Sequence, residues 1–285
     1  MTLKIAHLIL VHHNPQHLVR LISRLKHRQV RIFVHVDKKT NIRTFESLFK
    51  HRRDVCFLKK RVTINWGGYS MVEATLHAFR EILSHGHYDF INLMSGSDYP
   101  LTSADRFVQF LARHPNRTFL EFEEEGGTWW QEAQNRLKQY HLADFRFKGN
   151  QKIERLLNQI LPSRSIPLSL QIVGRSQWLV LCRGHILYIL DFIKRNPLVS
   201  RFFKLTWGSD EVIFQTILFN SIYRNELVNN NLRYIDWGEG QARPKTLTTE
   251  DLPVLKASGK FFARKFDTDV DREVLDRLDE WILSC

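Results

Sequence analysis

The chain has 285 residues, 43% of them hydrophobic and 12% aromatic, with a formal net charge of +12. That length and apolar content fit one large domain with a real core and exclude a disordered or fibrous chain. The positive balance calls for an anionic partner, but nucleic acid, phospholipid head groups and phosphorylated small molecules all qualify.

From the amino terminus, "KIAHLILV" reads as a buried strand, too short to span a bilayer. "NPQHLVRLISRL" follows as a helix, with Asn14 as N-cap and Pro15 at the first helical position. "VRIFVHVD" is a second strand ending at Asp37, "IRTFESLFKH" a helix and "VCFLKK" a third strand. "SMVEATLHAFREIL" has the spacing of an amphipathic helix. "YDFINLMSG" is a fourth strand that runs into the turn "SDYPL". A helix capped by Ser103, "SADRFVQFLARH", and a fifth strand, "TFLEFEE", complete the first half. The alternation of strand and helix predicts a mainly parallel sheet with helices on both faces.

The second half is less regular. "WWQEAQNRLKQYHL", "KIERLLNQILP", "HILYILDFIKRN", "DEVIFQTILFNSI", "TEDLPVLKAS" and "DREVLDRLDEWIL" read as helices. "SQWLVLC", "LRYIDW" and the basic segment "FFARKF" read as strands. No linker separates the halves, so a single domain over residues 1–285 is expected.

Cys56, Cys182 and Cys285 have no metal-ligand spacing. Cys56 and Cys182 lie in apolar runs and are expected as buried thiols of a reducing compartment. With no cleavage-site pattern and no spanning segment, a cytoplasmic protein is expected. Its basic surface suits peripheral contact with an anionic membrane.

Ligands of parallel sheets bind beyond the carboxyl ends of the strands. Three polar clusters fall at such ends: "HVDKK" with Asp37, "INWGGYS" with Gly67 and Gly68, and "MSGSDYP" with Ser95 and Asp98. Each alone reads equally well as caps and tight turns; three at one rim favour a site. "TWGSDEVIFQTIL" places Asp210 and Glu211 at the start of an apolar helix, as a charge favourable to the helix dipole or as a general base. In "GKFFARKFD", the cations Arg264 and Lys265 are adjacent within an aromatic segment. In a regular strand only one of them shares the face of Phe262 and Phe266. A solvated edge strand or an anion site would each explain the pair.

The ordered set "LVHHNPQHLVRLISRL", "FVHVDKK", "INWGGYSMVEATL", "YDFINLMSGSDYPL", "SDEVIFQTIL" and "FARKFD" resembles the core-2/I-branching enzymes and peptide O-xylosyltransferases, glycosyltransferase family 14. The resemblance runs from the first strand to the last. It implies a GT-A-like fold, a UDP-sugar donor, inversion at the anomeric carbon, and no bound metal or other cofactor. Position by position, Glu211 is similar to the family's catalytic base. Lys265 and Arg243 resemble its diphosphate cations, with Lys245 an alternative to Arg243. Asp37 resembles the carboxylate at the uracil end, and Val11, His12, Gly67 and Gly68 are placed with it around the nucleotide. Arg136, Trp178, Ser95, Asp98 and Asp210 fall to the sugar and acceptor pocket. The acceptor is a hydroxyl of a glycan, a lipid-linked glycan or a protein, and nucleic acid is not an expected partner. The chain departs from animal members in having no amino-terminal anchor, stem or disulfide cysteines, so a soluble, prokaryote-like member is expected.

The residues themselves fit this chemistry. A base must take the acceptor proton during attack. The departing diphosphate gains charge, which a metal on a D-x-D pair or fixed cations can meet. "SGSD" offers a single carboxylate where such a pair has two. A metal-dependent transferase of another GT-A family and a non-catalytic glycan-binding or nucleic-acid-binding protein remain open alternatives at this point.

Overall fold

All seven residues of the strand Ile5–Val11 are buried. It pairs in parallel with Val30–Val36 on one side and Phe90–Ser95 on the other, and Val30–Val36 pairs in parallel with Val55–Phe57. A central parallel strand is covered on both faces, which is why its sequence, His7 apart, is an apolar run rather than an alternating one. The structure is a computed structural model that describes residues 2–124, 126–238 and 243–284. Its contacts group the chain into two units. Met1–Lys59, His85–Pro115 and Leu232–Cys285 form the first; Lys60–Ser84 and Asn116–Asn231 form the second. The mixed α/β class expected from the sequence is the one observed.

In the first unit, the parallel register sets Val11 opposite Val36 and Leu10 opposite Ser95, so these strands end at one rim. Asn14 caps the helix Pro15–Arg24 as expected, accepting from the His17 amide at 3.0 Å. Ser103 caps Ala104–Ala112, accepting from the Arg106 amide at 3.3 Å. Asp279, on the closing helix Glu273–Ser284, lies 2.8 Å from Arg20 and 2.6 Å from Arg24, and accepts from the Tyr99 hydroxyl at 2.6 Å. Phe262–Arg264 is the middle strand of a second, three-stranded sheet. Its neighbours are Arg233–Ile235, parallel, and Tyr99–Pro100, antiparallel. The basic segment is therefore not a solvated edge strand.

The second unit has Thr118–Leu120 pairing in parallel with Leu227–Asn229 and antiparallel with Leu179–Cys182. Phe122–Glu123 pairs antiparallel with Gly174–Arg175, so "TFLEFEE" is two short strands rather than one. Arg175 pairs with Glu121, at the break, and with Glu123. Its helices include Ser70–Ser84, Thr128–Lys138, Asn150–Ile160 and Arg183–Arg195. "DEVIFQTILFNSI" is also divided. Ser209–Glu211 is a 3-10 turn, Val212 leaves helical geometry at φ −126°, and the α-helix runs only over Ile213–Phe219. Asp210 and Glu211 thus sit on a separate turn ahead of the apolar helix.

Cys182 is buried as expected, but Cys56 is only half-buried, with Sγ 3.9 Å from the His85 ring. Cys285 lies outside the described residues. Among the described residues no helix is long and apolar enough to cross a membrane.

Candidate active site

The rim of the first unit gathers Val11, His12, Asp37 and Ser95. The Asp37 amide donates to the Val11 carbonyl at 2.8 Å, tying the ends of two strands together. Asp37 Oδ1 accepts from the Lys39 amide at 2.8 Å, and Oδ2 lies 3.7 Å from Lys39 Nζ. The His12 and His13 rings are 4.3 Å apart. Burial lowers the His12 pKa, His13 adds to the shift, and Asp37 opposes it. The Gly96 amide donates to the Leu10 carbonyl at 2.8 Å. A Cβ on Gly96 would stand 2.6 Å from Val11 Cγ1, so this turn needs glycine to reach the rim.

Asp98, expected in the sugar and acceptor pocket, is fully buried between two arginines. Its Oδ2 accepts from the Ser95 amide at 3.1 Å and lies 3.7 Å from Arg233 Nε; its Oδ1 lies 3.2 Å from Arg264 Nε. This is what becomes of Arg264: it turns inward to an acid, from the same short strand as buried Phe262. Arg233 donates in turn to Asn92 Oδ1 and to the Leu93 carbonyl, and Asn92 donates to His7 Nδ1 at 2.9 Å. Burial first, and then Arg233, lowers the His7 pKa to about 3, so the ring is a neutral acceptor. Burial raises the Asp98 pKa against the pull of Arg264 and Arg233.

Lys265 follows Arg264 and is half-buried. Among the described residues its ammonium has no ion-pair or hydrogen-bond partner. Its backbone is fixed: the Lys265 carbonyl accepts from the Leu247 amide and the Phe266 amide donates to the Ser97 carbonyl, both at 2.9 Å. The second bond ties the segment to the "SGSD" turn. Arg243 is exposed. Lys245, its alternative, stands 2.6 Å from Asp251 Oδ1.

The second unit gathers Gly67, Gly68, Arg136, Asp210 and Glu211. Arg136 Nη1 donates to Glu211 Oε2 at 3.0 Å, and each side chain is 24% exposed, so the pair can reach solvent. The Arg136 guanidinium lies over the Trp207 ring at 4.4 Å. Trp207 meets the 58%-exposed Trp66 edge-on at 5.0 Å. The two glycines admit this packing. A Cβ on Gly67, whose φ is +73°, would fall 2.3 Å from Trp207 Nε1; one on Gly68 would fall 2.2 Å from Asp144 Oδ1. The Gly208 amide donates to the Gly67 carbonyl at 2.8 Å, joining this loop to the turn that bears Glu211. The glycines expected around the nucleotide are thus packed in the second unit, while Val11, His12 and Asp37 lie in the first. Trp178, expected in the sugar pocket, is buried.

Sequence reasoning missed Asp144, Trp207, Trp66, Arg233 and His7. Asp144 accepts from the Ser70 amide at 2.9 Å, the Ser70 hydroxyl at 2.5 Å and Asn65 Nδ2 at 3.2 Å, pinning the loop "NWGGYS". The available signals were the Trp-Gly pairs at 66–67 and 207–208, which suggest close aromatic-to-backbone approach.

Asp210 has its pKa raised to about 7, first by burial and then by the Glu211 charge. Between its ordinary 3.8 and about 7, the folded chain holds a proton that the unfolded chain releases, so this group's contribution to stability falls as pH rises through that window. In Asp210→Asn that decline should vanish. The variant's melting temperature should gain on the parent's as pH rises across the window. A difference independent of pH would mean that Asp210 is already ionised in the fold.

A family model described as Branch, Core-2/I-Branching enzyme, matches residues 5–257. The match takes in Glu211 and Arg243 and ends before Arg264 and Lys265. Among curated proteins, xylosyltransferase 2 of Mus musculus is 28% identical over 97% of this chain and 33% of its own length. Xylosyltransferase oxt of Drosophila melanogaster is 27% identical over 92% of this chain and 31% of its own. The chain spans about a third of the length of these relatives. Of solved structures, the apo form of mouse xyloside xylosyltransferase 1 has a TM-score of 0.41 at 10% identity, over 91% of this chain and 97% of that one. A 4-diphosphocytidyl-2C-methyl-D-erythritol synthase from Anaerococcus prevotii has a TM-score of 0.42 at 13% identity, over 90% and 96%.

Proposed function

The chain belongs to the Core-2/I-Branching enzyme family, and from that premise we propose that it is an inverting glycosyltransferase of GT-A-like fold. It moves a sugar, xylose or N-acetylglucosamine, from a UDP-sugar to a hydroxyl of a glycan, lipid-linked or protein acceptor. The observation that carries this reading is the Arg136–Glu211 pair, 3.0 Å apart and open to solvent, inside the matched region.

In this mechanism Glu211 accepts the acceptor hydroxyl's proton as the oxygen bonds to the anomeric carbon. The bond from that carbon to the diphosphate oxygen breaks, and its electron pair leaves with UDP. Arg136, seated on Trp207, fixes the carboxylate's orientation through its hydrogen bond to Oε2. The exposed Trp66 ring offers an apolar face for a sugar or peptide acceptor. Lys265 and Arg243 meet the charge that grows on the diphosphate. Both are cations, and Lys265 has no counter-ion of its own among the described residues. Fixed charges of this kind need no reorganisation as the bond breaks.

The reading also holds that no divalent metal is needed. Its support is Asp98: the one carboxylate of "SGSD" is fully buried and faces two arginines. Turnover of a panel of UDP-sugars in the presence of EDTA tests both parts. At least one donor should be consumed at an undiminished rate. An obligate requirement that Mn²⁺ or Mg²⁺ restores would overturn metal independence, and failure to use any UDP-sugar would overturn the donor class.

A further inference from the structure

We propose that the helix Asn150–Ile160 and the segment leading into it dock on the surface of an anionic phospholipid bilayer.

The helix is held to its own unit by polar side chains. Glu154 accepts from the Leu142 amide at 2.7 Å and lies 3.3 Å from His141 Nδ1. Asn158, one turn later, accepts from the Tyr140 amide at 2.7 Å and donates to the Tyr140 carbonyl at 2.8 Å. Its apolar side chains face outward instead. Ile153, Leu156 and Ile160 are 44%, 53% and 65% exposed. At about 100° per residue these three fall within about 60° of one another on the helix. No residue of this helix is buried. An ordinary surface helix does the reverse, burying its apolar stripe and wetting its polar one. Immediately before it, Phe145 and Phe147 are also exposed. Apolar surface gathered in this way marks an interaction site.

The charge around it selects the occupant. Arg146, Lys148, Lys152 and Arg155 are all exposed. Glu154 is the only carboxylate between Phe145 and Leu168, against five cations, and its oxygens face the Leu142 amide and His141. A second copy of the chain packed here about a two-fold axis would set these cations against themselves. A bilayer surface meets both features: phosphate and carboxylate head groups neutralise the cations, and the outer acyl region takes the Phe, Ile and Leu side chains. Lys and Arg stems lie along such a boundary with their charged ends in the head-group layer.

The full chain should co-float with phosphatidylcholine vesicles containing phosphatidylglycerol at low salt. It should bind vesicles of phosphatidylcholine alone at least about tenfold less, because the cations supply much of the affinity. Leu156→Glu with Ile160→Glu should lower the bound fraction by about tenfold or more, since it removes apolar insertion and adds repulsion. These residues are exposed and outside the proposed catalytic groups, so melting temperature and turnover of a soluble acceptor should match the parent's. Lys148→Glu with Lys152→Glu gives the charge arm, with a loss greatest at low salt. Flotation of either variant equal to the parent's would overturn the proposal. A parent that ignores anionic vesicles at low salt would overturn it too. If that parent elutes as a dimer that Leu156→Glu breaks, a second copy is the true occupant.

Discussion

Glu211→Gln is expected to lower sugar transfer by about 10²–10⁴-fold, the usual contribution of a general base. Glutamine keeps the length of glutamate and an oxygen that can still accept from Arg136, but it cannot take a proton. Both members of the Arg136–Glu211 pair are 24% exposed, so the lost ion pair should cost about 1 kcal/mol or less of stability. The variant should therefore fold, bind UDP nearly as the parent does, and fail at the chemical step. Transfer rate, UDP calorimetry and thermal melting together separate this outcome from a folding defect. A variant that transfers sugar at the parent rate would reduce Glu211 to a counter-ion for Arg136.

Lys265→Ala should weaken UDP binding and slow transfer further. Charge on the leaving diphosphate is larger in the transition state than in the bound donor. Loss of one preorganised group of this kind costs about 3–4 kcal/mol at most. Arg264→Ala is the control, and the structure sharpens what to expect of it. Arg264 lies 3.2 Å from fully buried Asp98, whose other cation, Arg233, is at 3.7 Å. Removing one partner of a buried pair costs about 3–5 kcal/mol of stability. The melting temperature should fall, and UDP affinity measured per folded molecule should hold. Titration of UDP across Lys265→Ala, Arg264→Ala and Arg243→Ala decides the matter. If Arg264→Ala abolishes UDP binding in folded protein while Lys265→Ala does not, the diphosphate belongs to Arg264.

Much of the first unit was legible because its signals are local. "KIAHLILV" and "VRIFVHV" are mostly apolar runs, and Asn14 with Pro15 marks a helix start that the structure reproduces. Pairing and interior polarity were not local. His7 faces Asn92 only through strand register, and Asn92 reaches Arg233 across 141 positions of sequence. Asp98 reads as a turn residue until Arg233 and Arg264 are seen to close over it. In the second unit, "SDEVIFQTIL" reads as one helix because every residue after Glu211 suits one; the break at Val212 is a backbone event without a proline or glycine to announce it. Gly67 and Gly68 were legible as close-approach positions, but what approaches them, Trp207 and Asp144, lies 140 and 76 residues away. The Arg136–Glu211 contact was not legible, since no spacing links residues 75 positions apart.

The central claim is inverting transfer from a UDP-sugar. It is tested most directly by proton NMR of the sugar that the enzyme first releases from UDP-xylose or UDP-N-acetylglucosamine, with water or a saccharide as acceptor and EDTA present. The account predicts turnover whose initial product has the anomeric configuration opposite to the donor's, and which Glu211→Gln suppresses. An initial product that retains the donor's configuration, or equal turnover by Glu211→Gln, would contradict it.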